Sequence, residues 1–162
     1  DGTPYEGGTV GLAYNAGYDF ITKAGFGAGL RYACLRMNAQ LKSYDSSSRI
    51  GQQYDCKIGM HYVAPEACYS IVFGKKALLS VLAGIGYASY FERMDDLRGS
   101  VGGYGTHGVL PATLPLSKHL AWGLEIGGYA LRFSPKKLGV EGYDGSTGIN
   151  YLNIGMGLHY IF

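Results

Sequence analysis

In the closing stretch GINYLNIGMGLHYIF (Gly148–Phe162), every second residue from Leu152 on is large and apolar, and those between, Ile149 and Ile161 aside, are small or polar. Leu152, Ile154, Met156, Leu158, Tyr160 and Phe162 share one face; Tyr151, Asn153, Gly155, Gly157 and His159 share the other. Period two is the periodicity of a β-strand. The second face indicates which medium the apolar face meets. A soluble half-buried strand turns its apolar side to a core and carries Lys, Glu and Thr on the side that meets water. Here the second face is small or polar, with glycine at Gly155 and Gly157, and cannot fill a core, so the apolar face is the one that needs an apolar medium outside.

The same pattern recurs along the chain. In TVGLAYNAGYDF (Thr9–Phe20), Val10, Leu12, Tyr14, Ala16, Tyr18 and Phe20 oppose Gly11, Ala13, Asn15, Gly17 and Asp19. In Gly25–Lys42, Phe26, Ala28, Leu30 and Tyr32 oppose Gly27, Gly29 and Arg31. The hydrophobic phase then slips near Cys34, and Arg36, Asn38, Gln40 and Lys42 share a face. Such a slip marks either a β-bulge or a strand leaving the membrane. In Tyr54–Phe73, Tyr54, Cys56, Ile58, Met60 and Tyr62 form the apolar face against Asp55, Lys57, Gly59 and His61. After Pro65, which cannot donate to a ladder, the phase flips and Tyr69, Ile71 and Phe73 take the apolar face. Ala77–Met94 sets Leu79, Val81, Ala83, Ile85 and Tyr87 against Ser80, Gly84, Gly86 and Ala88. Tyr104–Leu116 is the weakest strand, and Leu120–Ser134 carries a further flip at Gly127-Gly128.

Seven strands are therefore expected, over about 9–20, 25–42, 54–73, 77–94, 104–116, 120–134 and 148–162. Their connections alternate between short (21–24, 74–76, 117–119) and long and polar (43–53, 95–103, 135–147). Tight turns on one rim and longer loops on the other are the habit of transmembrane barrels. Composition agrees: charged residues are 16% of the chain against a usual ~25%, and glycine is 27 of 162 against a usual ~7%. A net charge of +2 excludes a strongly basic nucleic-acid binder. No run approaches the ~18 apolar residues of a membrane helix. The expected fold is one all-β domain over 1–162, an antiparallel transmembrane up-and-down β-barrel.

The segments GFGAGLRY, MHYVAPEACYSIVFGKKALLSVLAGIGYASY, SKHLAWGLEIGGYALRFS and INYLNIGMGLHYIF resemble the small outer-membrane β-barrel family of Bacteroidota, with its eight-stranded OmpA/OmpX-like architecture. The resemblance is diffuse and spans most of the chain. It implies a cell outer-membrane location, a periplasmic C-terminus and a cleaved signal peptide, without implying a defined activity. The terminal aromatics Tyr160 and Phe162 resemble the C-terminal signal read by the barrel-assembly machinery.

Bacterial barrels carry even strand numbers, so eight strands are expected where seven are visible. With the C-terminus periplasmic, Asp1 falls on the outer side. The sequence reading offers three accounts: a first strand precedes Asp1, residues 1–8 are the remnant of an outer loop, or another chain closes the seam.

By phase, Asp19, Arg31, Asp55, Lys57, His61, Glu66, Glu125 and His159 point inward, with Arg132 after the last flip. Buried charges must pair, so a lumen polar network of Asp19, Arg31, Lys57, His61, Glu66, Glu125 and His159 is expected. It closes the lumen or, with His61 and His159 as sensors, gates it. Leu152, Ile154, Met156 and Leu158 are expected in the lipid belt. Ser117 and His119, two residues apart in one turn, fit turn chemistry better than a nucleophile and base. No zinc spacing is present, and no catalytic residue, cofactor or metal site is expected. Folding 25–73 about Ser46 brings Cys34 opposite Cys56 on the lipid side, either as free thiols or as a disulfide.

The expected function is a non-enzymatic structural or interaction barrel, an anchor or accessory subunit of a larger outer-membrane assembly. The alternatives are a small pore and a lipid-modifying outer-membrane enzyme. Expected partners are the lipid bilayer and lipopolysaccharide, the assembly machinery and other outer-membrane proteins, with no nucleic acid.

Overall fold

A computed structural model describes residues 10–44, 51–74, 77–94, 97–133 and 147–160; residues 39–44, 51–55, 94, 97–98, 147 and 160 are described by their backbone alone. The described residues form seven strands and no helix: β1 (Gly11–Ile21), β2 (Phe26–Tyr44), β3 (Gly51–Phe73), β4 (Ala77–Met94), β5 (Leu97–Pro115), β6 (Leu120–Phe133) and β7 (Thr147–Tyr160). They make one sheet in sequence order, antiparallel throughout and curled into a half-barrel. β1 and β7 are its two edges. With seven strands of alternating direction, these edges run the same way.

Strands extend into two of the connections expected to be long. β2 continues to Tyr44 and β3 begins at Gly51, while β4 reaches Met94 and β5 begins at Leu97. The hairpins β2–β3 and β4–β5 therefore stand tall at one rim, opposite the tight turns at 22–25 and 116–119. In the last of these, Leu116 and Ser117 both donate backbone N–H bonds to the Leu120 carbonyl, at 2.7 and 2.9 Å.

Register decides which face each side chain occupies, because a shift of one residue moves a whole strand's side chains across the sheet. The β2–β3 pairing runs from Phe26↔Tyr69 to Tyr44↔Gly51 with no shift. The β3–β4 pairing keeps one register from Cys56↔Met94 to Phe73↔Ala77, passing Pro65 with Val63↔Tyr87 and Glu66↔Gly84 on either side. The β6–β7 pairing is continuous through Gly127 and Gly128. None of these strands carries a bulge, so the expected flips at Cys34, Pro65 and Gly127-Gly128 are not changes of face.

They are inversions of environment at constant face. Near the tight-turn rim and at mid-height, outward residues are apolar and exposed: Phe26, Leu30, Tyr69, Ile71, Val81, Ile85, Leu110, Ile126 and Ile154. Toward the tall hairpins, outward positions become Arg36, Asn38, Lys57, Arg93 and Asn150, all exposed. The inward face changes in the opposite sense. In the tall half it holds an apolar core of Ala33, Leu35, Met60, Tyr62, Ala88, Val101, Leu131 and Phe133, continued by Cys56 and Ile58.

Several expectations are corrected by this geometry. Lys57 is exposed on the outer face. His61 also lies on the outer face, where it bonds the Tyr32 hydroxyl at 2.6 Å. Arg132 points outward and donates to Asn150 Oδ1 at 3.0 Å. Cys34 pairs with His61 and Cys56 with Ala39. The two cysteines are thus on opposite faces of the sheet and cannot be bridged, and both are free thiols, as is Cys68. The hairpin expected about Ser46 differs from the observed register by an odd number of residues, which transfers Cys56 to the inside.

Candidate functional site: a polar cluster in the concave interior

At mid-height, behind the exposed apolar band, the interior is polar. Arg31 on β2 donates through Nε to Glu66 Oε2 on β3 at 2.8 Å, and through one terminal nitrogen to Glu125 Oε2 on β6 at 3.4 Å. His107 on β5 donates through Nε2 to the same Glu66 oxygen at 2.8 Å. Its Nδ1 shares a 3.0 Å bond with the Tyr62 hydroxyl. Asn15 on β1 and Asn153 on β7 donate to Glu125 Oε1 at 2.5 and 3.1 Å. Six strands thus converge on one cation and two carboxylates. The ion pairs of Glu66 are dry: the side chains of Glu66 and His107 are fully shielded and that of Arg31 is 8% exposed.

An aromatic layer caps this cluster toward the tall hairpins. Tyr151 and Tyr129 stack with centroids 4.7 Å apart and planes 2° from parallel. His107 stacks on Tyr129 at 5.7 Å, and Tyr62 meets both edge-on. The apolar core of the tall half lies beyond.

The sequence explains how this is assembled. Inward positions alternate with outward ones on every strand, so Arg31, Glu66 and Glu125 are each flanked by outward apolar residues, and His107 by Thr106 and Gly108. Glycine on the inward face makes the room. Asp19, Gly29 and Glu66 lie in one register row across β1, β2 and β3. A Cβ on Gly29 would run into the Asp19 carboxylate and the Tyr18 carbonyl. Asp19 Oδ1 and Glu66 Oε1 are both buried, on either side of this side-chain-free position, with no hydrogen-bond partner of ordinary geometry among the described residues.

Of the residues expected in the lumen network, Arg31 is bonded to both Glu66 and Glu125, and Asp19 lies beside them. His159 is inward but nearer the tight-turn rim, against Gly123. Lys57 and His61 are on the other face. Asn15, Tyr62, His107 and Asn153 are members that the sequence reading did not include. His107 sits in β5, whose prolines and glycines blur the alternation. Tyr62 sits in the half of β3 where the phase inverts. The Ser117 hydroxyl accepts the backbone N–H groups of His119 and Leu120, at 3.3 and 3.1 Å, which is turn chemistry. Leu152, Ile154, Met156 and Leu158 are outward and 69–83% exposed. Tyr160 is the last residue of β7, with its side chain outside the described residues, and Phe162 lies outside them altogether. Among the described residues no cluster of His, Cys, Asp and Glu could hold a metal ion.

Chemically, the cluster ties strands together. Every described bond of Arg31, Glu66 and Glu125 within it goes to another strand's side chain. Comparison of the chain with family models, curated proteins and solved structures finds no match.

Proposed function

We propose that this chain is an integral outer-membrane β-barrel with a structural or interaction role, its lumen closed by the Arg31–Glu66–Glu125 network. One observation carries the reading: at mid-height the molecule is inside-out. Ile85 is 61% exposed and Ile126 56% on the outer face, while Arg31, Glu66 and His107 are 4–6% exposed on the inner face. Among the described residues, 28 large apolar side chains are exposed. Even at about 50 Å² apiece they exceed the ~300–600 Å² of the largest apolar patch on an ordinary soluble monomer. A hydrocarbon medium makes that face favourable and requires buried charges to pair internally.

Strand parity supports closure by one more strand. β1 and β7 run the same way, so pairing them directly would be parallel; an eighth strand between them would be antiparallel to both and complete an even-numbered barrel. An eight-stranded interior is just wide enough for side chains to fill, which favours an anchor or assembly subunit over a pore. The test is reconstitution into planar bilayers together with electrophoresis of boiled and unboiled samples. A heat-sensitive mobility shift with near-silent bilayers supports the reading. Large, stable single-step conductances would replace it with a porin, and no mobility shift would count against the membrane barrel itself.

A further inference from the structure

Just beyond the apolar band, on the outer face of β3 and β4, cation stands opposite cation. Lys57 pairs in register with Arg93. Arg36 is diagonal to Lys57, directly opposite Gly59. Arg36, Lys57 and Arg93 are exposed. Like charges directly opposite one another on a sheet are destabilising, and among the described residues no carboxylate forms an ion pair with any of these three. Such a row, with no ion-pair partner among the described residues, fits an anion supplied from outside.

The floor beneath the cations is aromatic. His61 stacks on Tyr32 at 5.9 Å and on Phe91 at 5.4 Å, and Tyr32 and His61 are hydrogen-bonded. The Phe91 ring occupies the space that a Cβ on Gly59 would fill, so the shelf continues flat across β2, β3 and β4. Below it the outer face continues into the band through Val63, Tyr87, Tyr69 and Val81, all exposed. Anionic head and apolar tail are thus called for in one continuous strip. A free anion has no use for the shelf and band, and an acidic protein segment has none for the band.

We infer that Arg36, Lys57 and Arg93 bind the phosphate group of an anionic membrane lipid whose acyl chains lie along the band beneath the Tyr32–His61–Phe91 shelf. The inference rests on the membrane-barrel reading and adds to it a lipid class and a side of the barrel. Arginine and lysine are the natural phosphate donors, with the guanidinium bidentate, and their long stems reach back toward the interface.

The experiment uses the whole chain in phosphatidylcholine vesicles with and without phosphatidic acid, followed by extraction into mild detergent and native mass spectrometry. Insertion is read separately, from the heat-sensitive mobility shift. Wild-type protein is expected to insert in both vesicles and to retain phosphatidic acid several-fold above its share of the lipid. The variant carrying Arg36→Gln, Lys57→Gln and Arg93→Gln is expected to insert equally well and to retain the two lipids in vesicle proportion. Equal retention by inserted wild type and variant would overturn the lipid site while leaving the barrel reading standing. Inorganic phosphate that removes the retained lipid at matched phosphorus would show a free-anion site and overturn the lipid assignment. Failure of the wild type to insert in either vesicle would overturn both readings.

Discussion

Asn15 on the first strand donates a hydrogen bond to Glu125 on the sixth, across 2.5 Å. In a flat sheet, five strand spacings of ~4.8 Å would hold these strands about 24 Å apart. The bond therefore measures curvature, and with Arg31–Glu125 it fastens the curl from inside.

Removing the two carboxylates of this cluster should have unequal effects. Glu66→Ala strips both Arg31 and His107 of their shared partner in a dry site, where breaking a buried pair costs about 3–5 kcal/mol. Glu125→Ala leaves Arg31 its shorter bond and frees two amides, a loss of about 1–3 kcal/mol. Urea unfolding in detergent checks the order. A Glu125→Ala loss equal to or larger than that of Glu66→Ala would contradict the assignment of Glu66 as the hub.

On the outer face the cost of a substitution depends on height. Ile154→Arg, in the band, should cost about 2–4 kcal/mol if it lies near the bilayer midplane. Ser100→Arg, outward and exposed beyond the band, should change stability little. Equal tolerance at both positions would argue against a lipid-facing band.

Two glycines on opposite faces provide a test of packing. Gly29→Ala must displace Asp19 or the Tyr18 carbonyl, while Gly108, on the outer face of β5, has open space around its missing Cβ. The first should destabilise by about 1–3 kcal/mol, in the range of overpacking. The second should be neutral or stabilise by up to ~1 kcal/mol through loss of chain entropy in the unfolded state. Comparable losses from both would mean that the Asp19–Gly29–Glu66 row is not packed as described.

The thiols report on register. Cys34 and Cys56 lie on opposite faces, so all three cysteines should react with a thiol reagent under denaturing, non-reducing conditions. In the folded protein Cys56, 1% exposed, and Cys68, 5% exposed, should be protected from a bulky polar maleimide. Recovery of one reactive thiol instead of three would indicate a bridge and a different β2–β3 register.

Much of the architecture is legible in the sequence because alternation is strong wherever one face meets a uniform medium. Seven strands in up-and-down order, the outward placement of Leu152 to Leu158 and the inward placement of Arg31, Glu66 and Glu125 all follow from parity. Parity becomes ambiguous where the medium changes. At Cys34, between Tyr62 and Glu66, and after Gly128, the hydrophobic phase shifts by one, and a bulge and an environment inversion leave the same trace in the letters. Only the continuous hydrogen-bond register separates them, and it places Lys57, His61 and Arg132 outside. Extending the phase of Tyr69, Ile71 and Phe73 back through Pro65 without a flip would have placed Tyr62 and Cys56 inside. His107 was obscured for another reason: Gly105, Gly108, Pro111 and Pro115 leave β5 too few apolar positions for a phase to be read.

The central claim is that the outward residues of mid-height strands face lipid while their neighbours face a packed interior. The most direct measurement attaches a nitroxide singly at each position from Leu79 to Ala88 of β4 in vesicle-reconstituted protein, and records collisions with oxygen and with a water-soluble nickel chelate. The account predicts strong alternation: Leu79, Val81, Ala83, Ile85 and Tyr87 accessible to oxygen and shielded from nickel, and Ser80, Leu82, Gly84, Gly86 and Ala88 shielded from both. Nickel access at the odd positions equal to that of oxygen would place the band in water and contradict it.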